Sequence, residues 1–213
     1  MRVVKEAEER KNEILDVAER LFGTKGFDNT STSDILNEIG IARGTLYYHF
    51  KSKEDILDAM IDRMTGRLVE RAAEIIKKKE IPVWQRLTIM MRALNVNEPI
   101  GQEIMEQVHK PQNALMHQKM QSRLLAAVNP LVSSLIEEGM REGICQTEYP
   151  EEVAEMTLLY TNTVFDDLIE YSKEERDRKI KAFIYNLERL LRMERGSMEA
   201  AILPIFQNDG EPV

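Results

Sequence analysis

Apolar residues along this chain recur every three or four positions, with no sustained alternation to suggest a strand. Near the N-terminus Ile14, Ala18, Leu21 and Phe22 fall at i, i+4, i+7 and i+8, which predicts one helix over 5–24. Ile35, Leu36 and Ile39 give a second apolar face. It follows Ser31, Thr32 and Ser33, any of which can cap a helix by accepting from a free backbone N–H. Gly40 ends that helix where a residue without Cβ is favoured. A third short helix starts near Ala42, with Leu46 and Phe50 pointing inward at i, i+4 and Arg43, Thr45, Tyr48 and His49 left on its other faces. Two short helices joined by a tight glycine turn form a helix-turn-helix, a unit whose second helix lies in the DNA major groove.

Downstream the same spacing continues. Ile56, Leu57, Met60, Ile61, Met64, Leu68, Ala72, Ile75 and Ile76 predict a long helix over 53–79, closed by Lys77, Lys78 and Lys79 where cations suit the helix dipole. Further helices fit 82–95, 98–109, 112–142 with Pro130 as a kink, 150–172 and 174–194. Gly196, Pro204, Gly210 and Pro212 predict a loosely ordered C-terminal tail over 195–213, of which Met198 to Phe206 could dock. The expected fold is all-α: a three-helix head at 1–53, a helical bundle at 54–194 and the tail.

The head carries more than a bare motif. Ile14-Leu15-x-x-Ala18-x-x-Leu21-Phe22 is followed by Gly26-Phe27, Asp34-Ile35, Gly40-Ile41, Gly44-Thr45-Leu46-Tyr47-Tyr48-His49-Phe50, Ser52-Lys53-Glu54 and Leu57. A dozen positions thereby resemble, in type and spacing, the DNA-binding domain of the tetracycline-repressor (TetR/AcrR) family of bacterial transcriptional regulators. The resemblance covers about the first quarter of the 213 residues. It implies a homodimer that binds a palindromic double-stranded DNA operator, with a small-molecule effector in the C-terminal domain relieving repression. It also implies that the fourth helix links the head to a ligand-binding and dimerisation domain. Here that link has no Pro or Gly-rich linker between 53 and 65, and Gly66 is its one weak point.

Within the head, the fork of Arg43 suits either the two acceptors of guanine or a phosphate. Thr45 can reach a base or a phosphate, and Tyr48 and His49 are placed for phosphate. Tyr47 matches a DNA-contacting tyrosine of the family, yet could pack within the head. Gly44 lets the backbone approach the groove. Lys53 opens the fourth helix, where its charge and the free N–H groups suit a phosphate. Ser31, Thr32 and Ser33 complete the candidate DNA-binding set. The family usually has Ser or Thr where Ala42 stands, so the recognition helix lacks a side-chain cap.

Net charge is −8, which looks wrong for a DNA binder. Residues 1–53 hold nine Lys/Arg and nine Asp/Glu, so the whole excess of acid falls on the remainder. Within 40–53, Arg43, Lys51 and Lys53 face no acid, and the local field is positive. Such a thin basic patch favours dimeric binding. Apolar content of 43% and charged content of 31% fit a globular protein. No apolar run approaches the ~20 residues of a membrane span. The charged Met1–Glu6 start predicts no secretory signal. The single Cys145 excludes an internal disulfide framework, reads as a plain loop thiol among acids, and fits a cytoplasmic protein.

The C-terminal candidates are broader. Ile180, Phe183, Ile184, Leu187, Leu190 and Leu191 form one apolar seam and Val153, Met156, Tyr160, Val164, Phe165 and Leu168 another. These are either core or, as the resemblance implies, a four-helix dimer interface, with Val164, Leu168, Phe183, Ile184, Leu187, Leu190 and Leu191 in contact. Twelve methionines include Met90, Met91, Met105, Met116 and Met120 in the middle helices. Met suits both core filling and adaptable apolar pockets. Trp84, Met90, Met116, Met120 and Tyr160 are the candidate ligand-binding set. Glu106-x-x-His109 is half of a di-iron pattern, but it occurs once and His117 stands beyond Pro111. No nucleophile or phosphate-loop motif is present. The expectation is a regulator without cofactor, metal or catalytic site. The alternatives are an activator or partner-regulated DNA binder, and a helical metal protein.

Overall fold

Helix α1 (Arg2–Lys25) turns Ile14, Leu15, Ala18, Leu21 and Phe22 to one buried face. It stops at Gly26, whose φ of +90° suits a residue without Cβ and whose N–H donates back to the Phe22 carbonyl at 3.0 Å. In this computed structural model the described residues are 2–94, 113–165, 169 and 171–206, with side chains from residue 7. Helix α2 (Thr32–Ile39) is capped by Ser31, one of the three candidates. The Ser31 hydroxyl accepts from the Asp34 N–H at 3.1 Å and the Asp34 carboxylate accepts from the Ser31 N–H at 2.8 Å. Gly40 ends it at φ +74°.

Helix α3 (Arg43–His49) starts from Ala42 in extended conformation, with no side-chain cap, as the sequence implies. Helix α4 (Lys53–Ile76) is unbroken through Gly66 and ends just short of Lys77, Lys78 and Lys79. Ile35, Leu46, Phe50, Ile56, Leu57, Met60, Ile61 and Met64 join the α1 face in one buried core.

A second core lies on α5 (Val83–Leu94), α6 (Ala114–Arg141), α7 (Pro150–Val164), α8 (Lys173–Leu190) and α9 (Glu199–Phe206). It holds Ala72, Val83, Leu87, Met90, Val132, Leu135, Leu158, Phe183, Ile184, Leu187 and Ile202. Pro130 stands inside α6. The expected helix at 98–109 falls outside the described residues.

The chain divides into two compact units. The first takes residues up to Arg67 and the stretch ending at Arg123; the second takes Leu68–Asn97 and everything from Leu124. The expected head boundary at 53/54 is therefore too early, because Ile56 to Met64 of α4 complete the head's core. The start of α6 belongs to the same unit: Met116 and Met120 are buried there, and Lys119 pairs with Asp58 at 2.6 Å.

Within the expected loose tail, the stretch over 199–206 docks, as the sequence allows for Met198 to Phe206. These residues form α9, with Met198, Ala201 and Ile202 buried. The buried Glu188 carboxylate accepts from the Met198 N–H at 3.0 Å, and the Thr88 hydroxyl donates to the Ala201 carbonyl at 2.6 Å. Residues 207–213 lie outside the described part.

Arg86 ties the second unit together from inside. Its side chain is 1% exposed and donates to the carbonyls of Ile76 and Ile81, each at 2.9 Å, and to both oxygens of Glu138 at 3.0 and 2.5 Å. Every free donor direction but one thus meets an acceptor, which is what makes burial of a guanidinium tolerable. The hydrogen bonds from Arg86 hold the Glu138 carboxyl down at about 2, against the opposing effect of burial.

The depressed Glu138 contributes stability that is fully present above its ordinary value of 4.5 and is lost as pH falls toward about 2. Thermal melts across that window should show the loss, and Glu138→Gln should flatten it. Glu138→Gln should also cost ~3–5 kcal/mol at neutral pH, because it leaves the Arg86 charge buried and unpaired. Ala42→Ser should supply the acceptor that α3 lacks and stabilise the first unit by ~0.5–2 kcal/mol, read as a higher melting temperature.

Candidate nucleic-acid interface

Helix α3 has only seven residues, too few to stand alone in water. It is held from behind by Leu46, 1% exposed, and by Phe50 at its C-cap. With the inner face anchored at i, i+4, the other faces are left to solvent: Arg43, Gly44, Tyr47 and Tyr48 are exposed, and Thr45 and His49 half-buried. Tyr48 is the most outward, at 79% exposure, with its ring edge-on to His49 at 5.0 Å. A Cβ on Gly44 would meet nothing within 4 Å, so the fold itself does not demand glycine there.

Arg43 lies over the Tyr47 ring, with the guanidinium carbon 5.4 Å from the ring centre. Hydrogen bonds from Thr32 and from Arg43 hold the Tyr47 phenol below its ordinary titration value. Ser33 is exposed. Ser31 has its hydroxyl engaged with Asp34, which it lowers in titration together with Lys25, 3.5 Å away. Ser31 is thus a helix cap in this structure.

Lys53 is a correction. Its ammonium does not point outward as a phosphate ligand; it donates to the Phe27 carbonyl at 2.8 Å and sits 4.1 Å over the Phe27 ring. The Phe27 N–H donates to the buried Asn113 side chain at 3.0 Å. The turn between α1 and α2 is therefore gripped from α4 on one side and from the start of α6 on the other. Sequence reasoning missed both struts, since neither partner is near Phe27 in the chain. It also missed the placement of Arg43 over the Tyr47 ring, although their i, i+4 spacing was a readable signal.

The C-terminal candidates are divided between the two units. Met116 and Met120 are buried in the first unit's core, and Trp84, Met90 and Tyr160 lie in the second unit. The reason is that α6 starts within the first unit, and its opening turns bring Met116 and Met120 there at i, i+4. Met90 is fully buried core. Trp84 is half-buried, its indole N–H enclosed without a partner. Tyr160 stacks on Phe183 at 5.6 Å within an aromatic group that includes Phe165 and Phe206.

Of the expected interface residues, Phe183, Ile184, Leu187 and Leu191 are buried in the protomer's own core, so those side chains are not available to a partner. Leu190 is exposed and Val164 half-buried; Leu168 lies outside the described residues. On or next to α7 the apolar side chains Tyr149, Met156, Leu159 and Tyr160 face solvent, as do Tyr185 and Leu190 on α8. Tyr149, Met156 and Leu190 line an open groove of about 330 Å³ with Glu152 and Arg192.

Cys145 is buried; its thiol donates weakly to the Ile136 carbonyl at 3.5 Å, and burial pushes it up to about 11. An inert packing thiol is the consequence. Met105, Glu106 and His109 lie outside the described residues. Among the described residues no group of three or more His, Cys, Asp or Glu could hold a metal, and no helix is long and apolar enough to cross a membrane.

Comparison with known proteins agrees with this geometry. Residues 14–60 match the model of bacterial regulatory proteins of the tetR family, and residues 92–185 that of a tetracyclin repressor-like C-terminal domain. The fatty acid metabolism regulator protein of Bacillus subtilis is 37% identical over 67 residues, 32% of this chain and 34% of that protein. The HTH-type transcriptional regulator TtgR of Pseudomonas putida is 30% identical over 108 residues, 46% of this chain and 51% of that protein. These matches thus span about a third to a half of the relatives' lengths. In fold, the fatty acid degradation regulator FadR of Bacillus halodurans superposes with a TM-score of 0.59 at 19% identity, covering 95% of this chain and 97% of that one. A TetR-family regulator of Pectobacterium atrosepticum gives 0.58 at 23% identity, covering 88% and 95%. With a head built on the helix-turn-helix and a helical C-terminal unit, both matched by family models, the chain belongs to the TetR family of DNA-binding transcriptional regulators.

Proposed function

We propose that this chain is a homodimeric repressor in the cytoplasm. It binds a palindromic operator through α3 and is released when a small molecule occupies the second unit. The observation that carries the DNA part is the division of α3 into an anchored face, Leu46 with the Phe50 cap, and an outward face of Arg43, Gly44, Tyr47 and Tyr48. Arg43 stands at the N-terminal end, where a recognition helix meets base edges, and its fork matches the O6 and N7 acceptors of guanine. The bare Gly44 leaves room that only an approaching duplex would need. Thr45, Tyr48 and His49 are the phosphate contacts in this reading, with Ser33 and Lys51 at the margin. Lys53 acts from inside, by holding the α1–α2 turn.

Two-fold operator symmetry requires two heads. The exposed stripe Tyr149, Met156, Leu159 and Tyr160, with Leu190 beside Met156, supports an interface through α7 and α8. The effector acts by binding one arrangement of the two heads better than another, and the operator prefers the other arrangement; nothing else can couple them. Trp84 and Tyr160 remain the candidates in the second unit for contact with an apolar ligand.

Gel-shift titration against a randomised operator library tests the DNA reading. Arg43→Ala should lose ~1–3 kcal/mol of discrimination at one base pair in each half-site. Full discrimination by a folded Arg43→Ala protein would overturn base reading by Arg43. Light scattering tests the assembly. Met156→Asp should give monomers at micromolar concentration while the melting temperature holds, because Met156 is exposed in the protomer. A dimer that survives would move the interface off this stripe.

A further inference from the structure

We propose that Asn113 is a positioning residue for DNA binding. From outside the helix-turn-helix it fixes the α1–α2 turn, with Lys53 as the opposing half of the grip, so that α2 and α3 meet the duplex in one arrangement. The inference rests on the DNA reading above. It gives a part in affinity to a residue that is 0% exposed and cannot itself touch a duplex.

The turn is held from elsewhere in the chain. Helix α1 stops at Gly26, whose N–H still reaches the Phe22 carbonyl at 3.0 Å. The next N–H, that of Phe27, donates instead to the Asn113 side-chain oxygen at 3.0 Å, 86 residues further along the chain. Phe27 is 4% exposed, and a backbone N–H buried there needs an acceptor. Its carbonyl accepts from the Thr30 N–H at 3.2 Å and from the Lys53 ammonium at 2.8 Å. The ring is fixed as well, edge-on to Phe22 at 5.2 Å and 4.1 Å from the same ammonium. One residue's N–H and C=O are thus gripped by two side chains, one just before α6 and one at the start of α4. Ser31, the cap of α2, follows shortly after.

Asn113 is itself held. Just beyond it Met116 and Met120 are buried in the first unit's core, and Lys119 pairs with Asp58 of α4 at 2.6 Å. Apolar contacts tolerate small shifts, whereas a hydrogen bond to a single buried N–H is directional. A turn fixed in this way before the duplex arrives has no ordering cost to meet on binding.

The test uses the full chain as wild type, Asn113→Leu, Lys53→Met and the double variant Asn113→Leu/Lys53→Met. Asn113→Leu keeps the approximate volume and removes the acceptor; Lys53→Met keeps the stem and removes the charge. Each is titrated well below its melting temperature, at several salt concentrations, with an operator selected from the randomised library and with a random-sequence duplex. Each single variant, still folded, should bind both duplexes roughly three- to tenfold more weakly per head. The salt slope should stay that of wild type. The double variant should be little weaker than either single one, because both remove support from the same turn. Amide exchange at Phe27 in DNA-free Lys53→Met should be faster than in wild type. If Asn113→Leu does not fold, Asn113→Ser, polar and too short to reach the Phe27 N–H, takes its place. Wild-type affinity in the folded Asn113 variant, with only its melting temperature lowered, makes the residue merely structural and overturns the proposal. A salt slope lower by about one per head in Lys53→Met, with Phe27 exchange unchanged, makes Lys53 a phosphate contact and overturns the two-sided grip. Fully additive losses in the double variant assign the two residues separate tasks and overturn it too. Failure of the wild type to select any duplex from the library removes the DNA reading itself, and this inference with it.

Discussion

The reading face of this protein depends on the burial of one side of a helix too short to exist alone. Helix α3 has seven residues and no side-chain cap at its start, so its own hydrogen bonds cannot hold it folded. Leu46 and Phe50 do so, by packing into a core built from α1, α2 and the first half of α4. Helix α2, with eight residues, relies on the same core through Ile35, but it also has both ends closed, by Ser31 and by Gly40. The two helices thus differ: α2 is closed at both ends, and α3 begins at Ala42 without a side-chain acceptor for its first N–H groups.

Charge around the motif divides by the same logic. Arg43 and Lys53 are both cations within the matched stretch, but their reach and surroundings separate them. Lys53 finds the carbonyl and ring of Phe27 within the length of its side chain and turns inward. Arg43 lies on the outer face of α3 and stays exposed above Tyr47. The carbonyl and ring of Phe27 gain a clamp, and the outward field is carried by Arg43 and Lys51. A charge count over 40–53 cannot separate these roles, because both residues contribute one positive charge.

In the second unit the determining element is polar. Arg86 reaches acceptors on three separate pieces of backbone and side chain, at Ile76, Ile81 and Glu138. An apolar core alone is indifferent to small shifts in register, whereas a buried guanidinium with a fixed set of partners is not. Arg86 and Glu138 thus align the end of α4, the turn after it, α5 and α6. The exposed apolar residues of α7 then stand on a scaffold whose own core is complete without them.

Much of this protein follows from sequence alone. Periodicity located α1 to α5 within a few residues, because each has one continuous apolar stripe and a marked start or stop. The extended match from Ile14 to Leu57 identified the head, and the absence of Ser or Thr at 42 foretold the open cap. What the sequence left undecided was every question of partner. Ser31, Thr32 and Ser33 are equivalent as text, and only the fold makes the first of them the cap of α2. The seam of Phe183, Ile184 and Leu187 reads equally as core or interface. Burial in the second unit's own core resolved it as core, and left Met156 and Leu190 exposed. Met116 and Met120 joined the first core because the opening turns of α6 belong to the first unit, outside the 1–53 head that the motif marked. Local spacing determines which side of a helix is apolar; which apolar sides meet depends on contacts between residues tens of positions apart, and those exist only in the tertiary structure.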